Sequence, residues 1–353
     1  MKCLPVSKVA LAEGNVLHDS HAEILALRGF NRWVLDECRE LAEKGVETGE
    51  WVERTGAQLG DINDAEANEP PSTRPFKLRR GVTVHMYCSQ TPCGDASMEL
   101  TMASQADATP WLASPSSNQA TDSEALPGRA GFANLGIVRR KPARPDAPPT
   151  LSKSCSDKLA LKQFTGLLNG VVSLLLDPIF LASLVLPKDQ LLRKATSRAW
   201  GRDGRLAEAV TAVGRHGFRA FEVRGTSRVF GFSKKAVIGT AAGAAVVEAV
   251  PSNLSALATT SRKEVLINGV LQGRKFGDVR GASCVSRRGF WEAVGVVAGL
   301  LGVRGILGRR VGDYKSLKGC LALRSRRDVK RVVREKGLRG WVRNEGDEGW
   351  GIG

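Results

Sequence analysis

The chain has 353 residues, 42% of them hydrophobic, which is enough to bury a core and excludes an intrinsically disordered chain. Its formal net charge of +16 points to a polyanionic partner such as nucleic acid, an inositol phosphate or an anionic membrane. Aromatic residues make up only 6%, too few for a binder built mainly on base stacking, and the seven scattered cysteines suit a reduced intracellular compartment, nucleus or cytoplasm, rather than a secreted disulfide framework.

No apolar run follows Met1, so the sequence opens without a secretory signal. Asp19 and Ser20 are placed to cap a helix whose apolar residues Ile24, Leu25, Leu27, Phe30, Trp33, Val34 and Leu41 recur at helical spacing. Residues 81–88 alternate as a strand does and end in the turn Gln90-Thr91-Pro92. The flanking stretches 45–75 and 99–128, rich in small and polar residues, read as surface insertions. Residues 167–186 form the longest apolar stretch, but Asn169, Asp177 and Pro178 interrupt it. It predicts a buried helix ending at Asp177-Pro178 and then a strand over 179–186, not a membrane span. The Ala/Gly/Val run at 235–250 suits close packing. Residues 264–269, Glu-Val-Leu-Ile-Asn-Gly, read as a strand ending in a turn. Leu317, Cys320, Leu321, Val329, Val332 and Val333 mark the inner face of one or two basic helices. Charge is uneven along the chain: residues 1–70 hold 14 acidic and 7 basic side chains, whereas 303–343 hold 14 basic and 3 acidic. The second excess is too local for mere solubility and predicts phosphate binding there.

Three short segments carry chemistry: His21-Ala22-Glu23, Pro92-Cys93-Gly94-Asp95-Ala96 and Ser154-Cys155-Ser156-Asp157-Lys158. Each is weak alone, since a His-x-Glu arises often by chance and a buried cysteine is usually a small hydrophobe. Together they match the zinc site of base deaminases, in which one His and two Cys hold the metal and a Glu two residues after the His handles protons. Pro92 presets the first turn of a helix and would bring Cys93 to its N-terminus, where the dipole favours a thiolate. Three protein ligands leave one tetrahedral position for a water, whose pKa zinc lowers to about 7. In small deaminases the second cysteine follows the first in a Pro-Cys-x-x-Cys pattern, but here Ala96 stands at that position. Either the site is dead or its third ligand lies elsewhere: Cys155 is the favoured candidate and Cys88 the rival. His18 is expected near the site without ligating, His85 as a strand residue and His216 in a surface loop.

The segments Lys2-Cys-Leu-Pro, His18-Asp-Ser-His-Ala-Glu-Ile, Thr91-Pro-Cys-Gly-Asp-Ala-Ser and Ser154-Cys-Ser-Asp-Lys resemble the RNA-editing adenosine deaminases, the A-to-I editase family, in the form of its fungal tRNA-specific branch. Arg144-Pro-Asp-Ala-Pro-Pro-Thr-Leu-Ser, Glu264-Val-Leu-Ile-Asn-Gly, Tyr314-x-x-x-Lys318 and Gly340-Trp341-Val342 extend the likeness to nearly the whole chain. The resemblance implies an α/β fold with a cytidine-deaminase-like mixed sheet, zinc-bearing helices and a helical C-terminal extension. One editase domain would then occupy 1–353. Family members carry a helix and strand upstream of the Lys2-Cys-Leu-Pro motif, so the domain is expected to lack its N-terminal segment.

The same resemblance implies hydrolytic conversion of adenosine to inosine in tRNA, next to the anticodon. His21, Cys93 and Cys155 would hold Zn²⁺ and Glu23 would be the catalytic proton carrier. It also implies a buried inositol hexakisphosphate, carried over by position onto Arg28, Lys158, Tyr314, Lys318 and Trp341, with Lys158 joined to the zinc ligands through Asp19. The pattern is incomplete: Leu27 and Leu161 stand where double-stranded RNA editases have Arg, and Arg343-Asn344 replaces an acidic-basic pair. The expected partner is tRNA, with no membrane and no obligate protein subunit. The alternative is a zinc-stabilised RNA-binding protein without turnover.

Overall fold

A long helix, α1 (Ala22–Lys44), organises the first third of the molecule. The computed structural model describes residues 3–56, 74–104, 126–127, 134–141, 147–214, 217–240, 252–302 and 312–352. Leu25, Leu27, Val34, Leu35, Cys38 and Leu41 line the buried face of α1, and Gly45, with φ 65°, ends the helix in the left-handed conformation that glycine adopts most readily. The N-cap is His21 rather than the Asp19-Ser20 pair expected from sequence. Asp19 instead accepts the His21 N–H at 3.0 Å, which leaves its other oxygen for buried cations.

β1 (Val52–Arg54) and β2 (Phe76–Leu78) pair antiparallel, with Val52 and Phe76 fully buried. The described flank of the insertion expected at 45–75 is therefore part of the core, and residues 57–73 lie outside the described residues. β3 (Val84–Tyr87) follows, then a 3-10 turn at Asp95–Ser97 leading into α2 (Met98–Ala103). Of the stretch 99–128, residues 105–125 lie outside the described residues; Leu126–Pro127 is β4 and pairs in parallel with β5 (Arg139–Arg140). α3 (Cys155–Thr165) begins at Cys155 under the cap of Ser154, whose hydroxyl accepts the Asp157 N–H at 3.1 Å.

The helix expected over the apolar run does not form. α3 stops at Thr165 because Gly166 turns with φ 68°, where a Cβ would lie 2.8 Å from the Ile179 carbonyl. The next ten residues cross the core as an irregular chain with one 3-10 turn at Val172–Leu174. Side chains replace the missing helical hydrogen bonds. Asn31 accepts the Asn169 N–H at 2.6 Å and donates to Leu167 O at 3.1 Å, Asn169 accepts from Val171 and Val172, and Lys162 donates to Leu167 O and Leu168 O.

β6 (Leu181–Pro187) is the middle strand of a three-stranded parallel sheet, flanked by β3 and by β7 (Glu222–Thr226). Leu181, Ser183, Leu184 and Leu186 are buried along it, as expected for a strand covered on both faces. α4 (Arg193–Trp200) and α5 (Ala207–Val213) connect β6 to β7, and α6 (Lys234–Thr240) follows β7. His216 and residues 241–250 lie outside the described residues.

β8 (Leu254–Ala258), β9 (Lys263–Ile267) and β10 (Val270–Leu271) form an antiparallel meander. Asn268 (φ 52°) and Gly269 (φ 85°) make the tight turn between the last two, the geometry that an Asn-Gly pair favours. In place of one mixed sheet, the described residues thus hold the three-stranded parallel sheet, the short parallel β4–β5 pair and two separate antiparallel ribbons. α7 (Arg287–Leu300) packs on α1. α8 (Tyr314–Gly319) and α9 (Arg324–Lys336) close the molecule, α9 lying against α3 and α5. Leu317, Cys320 and Val333 face inward as expected, but Leu321 is 42% exposed, because a 3-10 turn buries Leu323 in its place. No helix among the described residues is long and apolar enough to cross a membrane.

Candidate metal centre

Three chain segments far apart in sequence converge at the start of α3. The loop carrying Cys93 is stitched to the first turn of that helix: Ser156 N–H donates to Cys93 O at 2.9 Å, and Ser156 Oγ donates to Pro92 O at 2.9 Å. Gly94 passes so close to Ser154 that a Cβ would sit 2.2 Å from its hydroxyl, and its φ of 109° is open only to glycine at low cost. Cys93 precedes a 3-10 turn rather than opening a helix, so the orienting amide comes from α3: Cys155 N–H points at Cys93 Sγ at 3.4 Å. His21 enters from the N-cap of α1, its Nδ1 lying 3.9 Å from Cys93 Sγ and 3.8 Å from Cys155 Sγ.

The three ligand atoms lie within 4.8 Å of one another. Tetrahedral zinc, with bonds of about 2.1 Å to nitrogen and 2.3 Å to sulfur, needs N to S separations of about 3.6 Å. The donor set is therefore close to the size a zinc ion demands. The thiols supply the matching electrostatics. A hydrogen bond from Cys155 and the charge of Lys141 push the Cys93 thiol well down, whereas burial and the neighbouring Cys93 push the Cys155 thiol up. One thiolate opposes the next, and a cation between them removes the conflict.

Ala96, fully buried, packs beneath this loop and supplies no ligand atom. Cys88 is buried at the end of β3, its thiol pushed up by burial and by Glu23, and it belongs to no cluster of ligating atoms among the described residues. Glu23, in the first turn of α1, is likewise outside the clusters of ligating atoms. Burial and the Cys93 charge raise its carboxyl above the ordinary range.

Behind the ligands lies a buried network that sequence reasoning found only in part. Asp19, 5% exposed, accepts from Lys158, from Ser152 at 2.9 Å and from Lys141 at 2.8 Å. Lys141 also reaches Cys155 Sγ at 3.1 Å. Asp19 is held well below the usual carboxylate range: burial opposes this, but Lys141, Lys158 and His21 outweigh it. In the sequence Lys141 is one cation among the run Arg139-Arg140-Lys141, and nothing local marks it. A second group, Cys3, Asp19 and His21, also brings its ligating atoms within 4.8 Å, and Cys3 donates to Asp19 Oδ1 at 3.7 Å.

Lys158 continues this network into a basic cavity of about 570 Å³. Arg28, Lys158, Lys318 and Trp341 line it together with Lys153, Arg287, Arg326 and Lys330. Burial and the neighbouring Arg326 and Arg287 lower Lys318 to about 8; burial, Lys158 and Arg334 lower Lys153 to about 7. Such mutual repulsion among buried cations is what a polyanion would relieve. Trp341 carries Lys153 and Arg334 over its ring, each 5.3 Å from the centroid. Tyr314 is not among the lining residues; its ring stacks on Trp350, 4.8 Å away, behind Arg287. His18 binds Asp347 and Asn344 at the cavity edge, and His85 is a strand residue bonded to Ser183 and Thr83.

The adenosine-deaminase (editase) domain family matches residues 1–345. The tRNA-specific adenosine deaminase 1 of Schizosaccharomyces pombe is 41% identical over 239 residues, covering 66% of this chain and 56% of that protein. The protein of the same name from Saccharomyces cerevisiae is 36% identical over 192 residues, covering 53% of this chain and 44% of its own length. The double-stranded RNA-specific editase Adar of Drosophila melanogaster is 27% identical over 208 residues, covering 52% and 25%. The chain spans about half the length of these two curated tRNA-specific relatives.

Proposed function

The chain belongs to the adenosine-deaminase (editase) family, and from that premise we propose that it converts adenosine to inosine by hydrolysis in tRNA, next to the anticodon, on a cytidine-deaminase-like fold. The convergence of His21, Cys93 and Cys155 beside Glu23 carries this reading. Those three side chains would hold Zn²⁺, which when bound supplies Lewis-acid activation of a water near neutral pH. Glu23 would carry one proton from the attacking water to adenine N1 and then the remaining proton, from the hydroxyl formed at C6, to the amine, which leaves as ammonia. Its role requires a carboxylate beside the metal that does not ligate, which its absence from the ligating clusters supports.

Lys141 neutralises the Cys155 thiolate, and Asp19 fixes Lys141 in that position. Inositol hexakisphosphate, through Arg28, Lys158, Lys318 and Trp341, would neutralise the basic cavity and so fasten the C-terminal helices to the core. A stacked adenosine is out of reach of the site, so the base must swing out at a cost of a few kcal/mol. Lys and Arg contacts to phosphates repay that cost without regard to sequence.

The test is inosine formation by the zinc-loaded chain on tRNA, on fully paired RNA and on free adenosine, read by nuclease digestion and chromatography. The reading expects inosine in tRNA alone. Turnover of free adenosine would make the protein a nucleoside deaminase. Tight tRNA binding without inosine would make it a zinc-stabilised RNA-binding protein.

A further inference from the structure

Beyond β7, at the end of the parallel sheet, the chain makes a short loop before entering α6. Single exposed apolar side chains need no explanation, but a contiguous exposed cluster does. Phe230 is 52% exposed, Phe232 86% and Val229 51%. The two rings stand side by side with centroids 5.7 Å apart, tilted by 57°. Their backbone is held in place. Ser233 N–H donates to Phe230 O at 2.9 Å, closing a turn, and the buried Ser233 hydroxyl accepts the Ala236 N–H at 3.2 Å.

The surroundings are basic. Arg228 and Lys234 flank the rings in sequence and are exposed, as is Lys188 just after β6, while Arg224 and Lys235 are paired with Glu222 and Asp189. The loop is also tied to the candidate metal centre. Lys235 bonds Asp189 at 2.9 Å, the neighbouring Gln190 carbonyl accepts from Thr91 Oγ1, and Thr91 lies two positions before Cys93. All of these loops leave the carboxyl ends of parallel strands, the edge at which open α/β sheets bind ligands.

We infer that the Phe230–Phe232 loop is a stacking surface for unpaired RNA bases flanking the reacting adenosine. The inference rests on the RNA-substrate reading above and extends it to a specific contact. Exposed aromatic faces among Lys and Arg are the two components of single-strand recognition: rings accept any base, and cations follow the backbone. An anionic bilayer could use the same two components, but the connection through Asp189 and Gln190 to the Cys93 loop favours a ligand that also reaches the metal centre.

The test uses the double variant Phe230→Ser/Phe232→Ser, which removes exposed rings and leaves the core intact. Each base stacked on an aromatic ring strengthens binding by about fivefold to more than a hundredfold. The variant should therefore bind a tRNA transcript at least tenfold more weakly, with its melting temperature unchanged. The slope of log affinity against log salt should stay as in the wild type, because no phosphate contact is lost. Binding to a fully paired RNA duplex should not change, and Phe232→Tyr should keep wild-type affinity. Binding of tRNA within twofold of wild type would overturn the inference while leaving the RNA-substrate reading intact. So would loss of binding to phosphatidylserine vesicles with tRNA affinity unchanged. A wild-type chain that does not bind tRNA would overturn both.

Discussion

Replacing Lys141 by Met keeps the aliphatic length and removes one charge from the buried ion network behind the candidate metal centre. Its ammonium lies 2.8 Å from Asp19 Oδ2 and 3.1 Å from Cys155 Sγ, with 5% of the residue exposed. Two losses follow. Breaking a buried pair by removing one partner costs about 3–5 kcal/mol. Asp19 keeps Lys158 and Ser152, so the lower end applies and the variant should lose about 3 kcal/mol of unfolding free energy. Removing a group that supports a metal ligand costs typically about 10–100-fold in metal affinity, and zinc should be lost to a competing chelator by that factor. Because Asp19→Asn cuts the same network, the double variant should lose less than the sum of the two single losses. Chemical denaturation and competitive zinc titration measure these quantities. A Lys141→Met protein with zinc affinity within twofold and stability within about 0.5 kcal/mol of wild type would refute the assigned role, since typical surface changes fall in that range.

Other expectations follow from the same geometry. Cys155→Ala and Cys93→Ala should each abolish stoichiometric zinc, whereas Cys88→Ala should retain it; metal analysis of the three proteins decides between the two cysteine assignments. Gly94→Ala should destabilise the protein by at least about 2 kcal/mol, because its Cβ would meet Ser154 at 2.2 Å in a backbone conformation that alanine avoids, and thermal denaturation checks this. For the anion-free protein, Lys318 at about 8 and Lys153 at about 7 release their protons in the folded state well before an unfolded lysine at about 10.4. The unfolded chain then binds more protons between about pH 7 and 10, so these two lysines should make stability rise with pH across that window. Added inositol hexakisphosphate should stabilise most near neutral pH, and its affinity should fall as the lysines lose charge; melting scans with and without it, at several pH values, test both signs.

Some of this molecule is plain in its sequence and some is not, for identifiable reasons. α1 announces itself by periodicity over a long span, and Asn268-Gly269 by the turn that only such a pair makes cheaply. The ligand residues were legible as types, yet Cys93 and Cys155 are 62 positions apart, and only the packing of the Pro92 loop on α3 brings them together. The apolar stretch after Gly166 misled because periodicity does not reveal that Asn31, Asn169 and Lys162 will satisfy an irregular backbone. Lys141 was invisible for a related reason: burial, not sequence context, distinguishes it from Arg140. Tyr314 shows the limit of carrying positions over one at a time, since its ring packs on Trp350 rather than lining the cavity.

The central claim is that Glu23 moves protons beside a metal held by His21, Cys93 and Cys155. Its most direct test is inosine formation in tRNA by wild type and by Glu23→Gln at equal zinc content. Gln keeps the size of the side chain and cannot accept a proton, so the rate should fall by about 10²–10⁴-fold while zinc content and tRNA affinity stay at wild-type levels. Editing within a few-fold of wild type by the zinc-loaded Glu23→Gln protein would contradict the account.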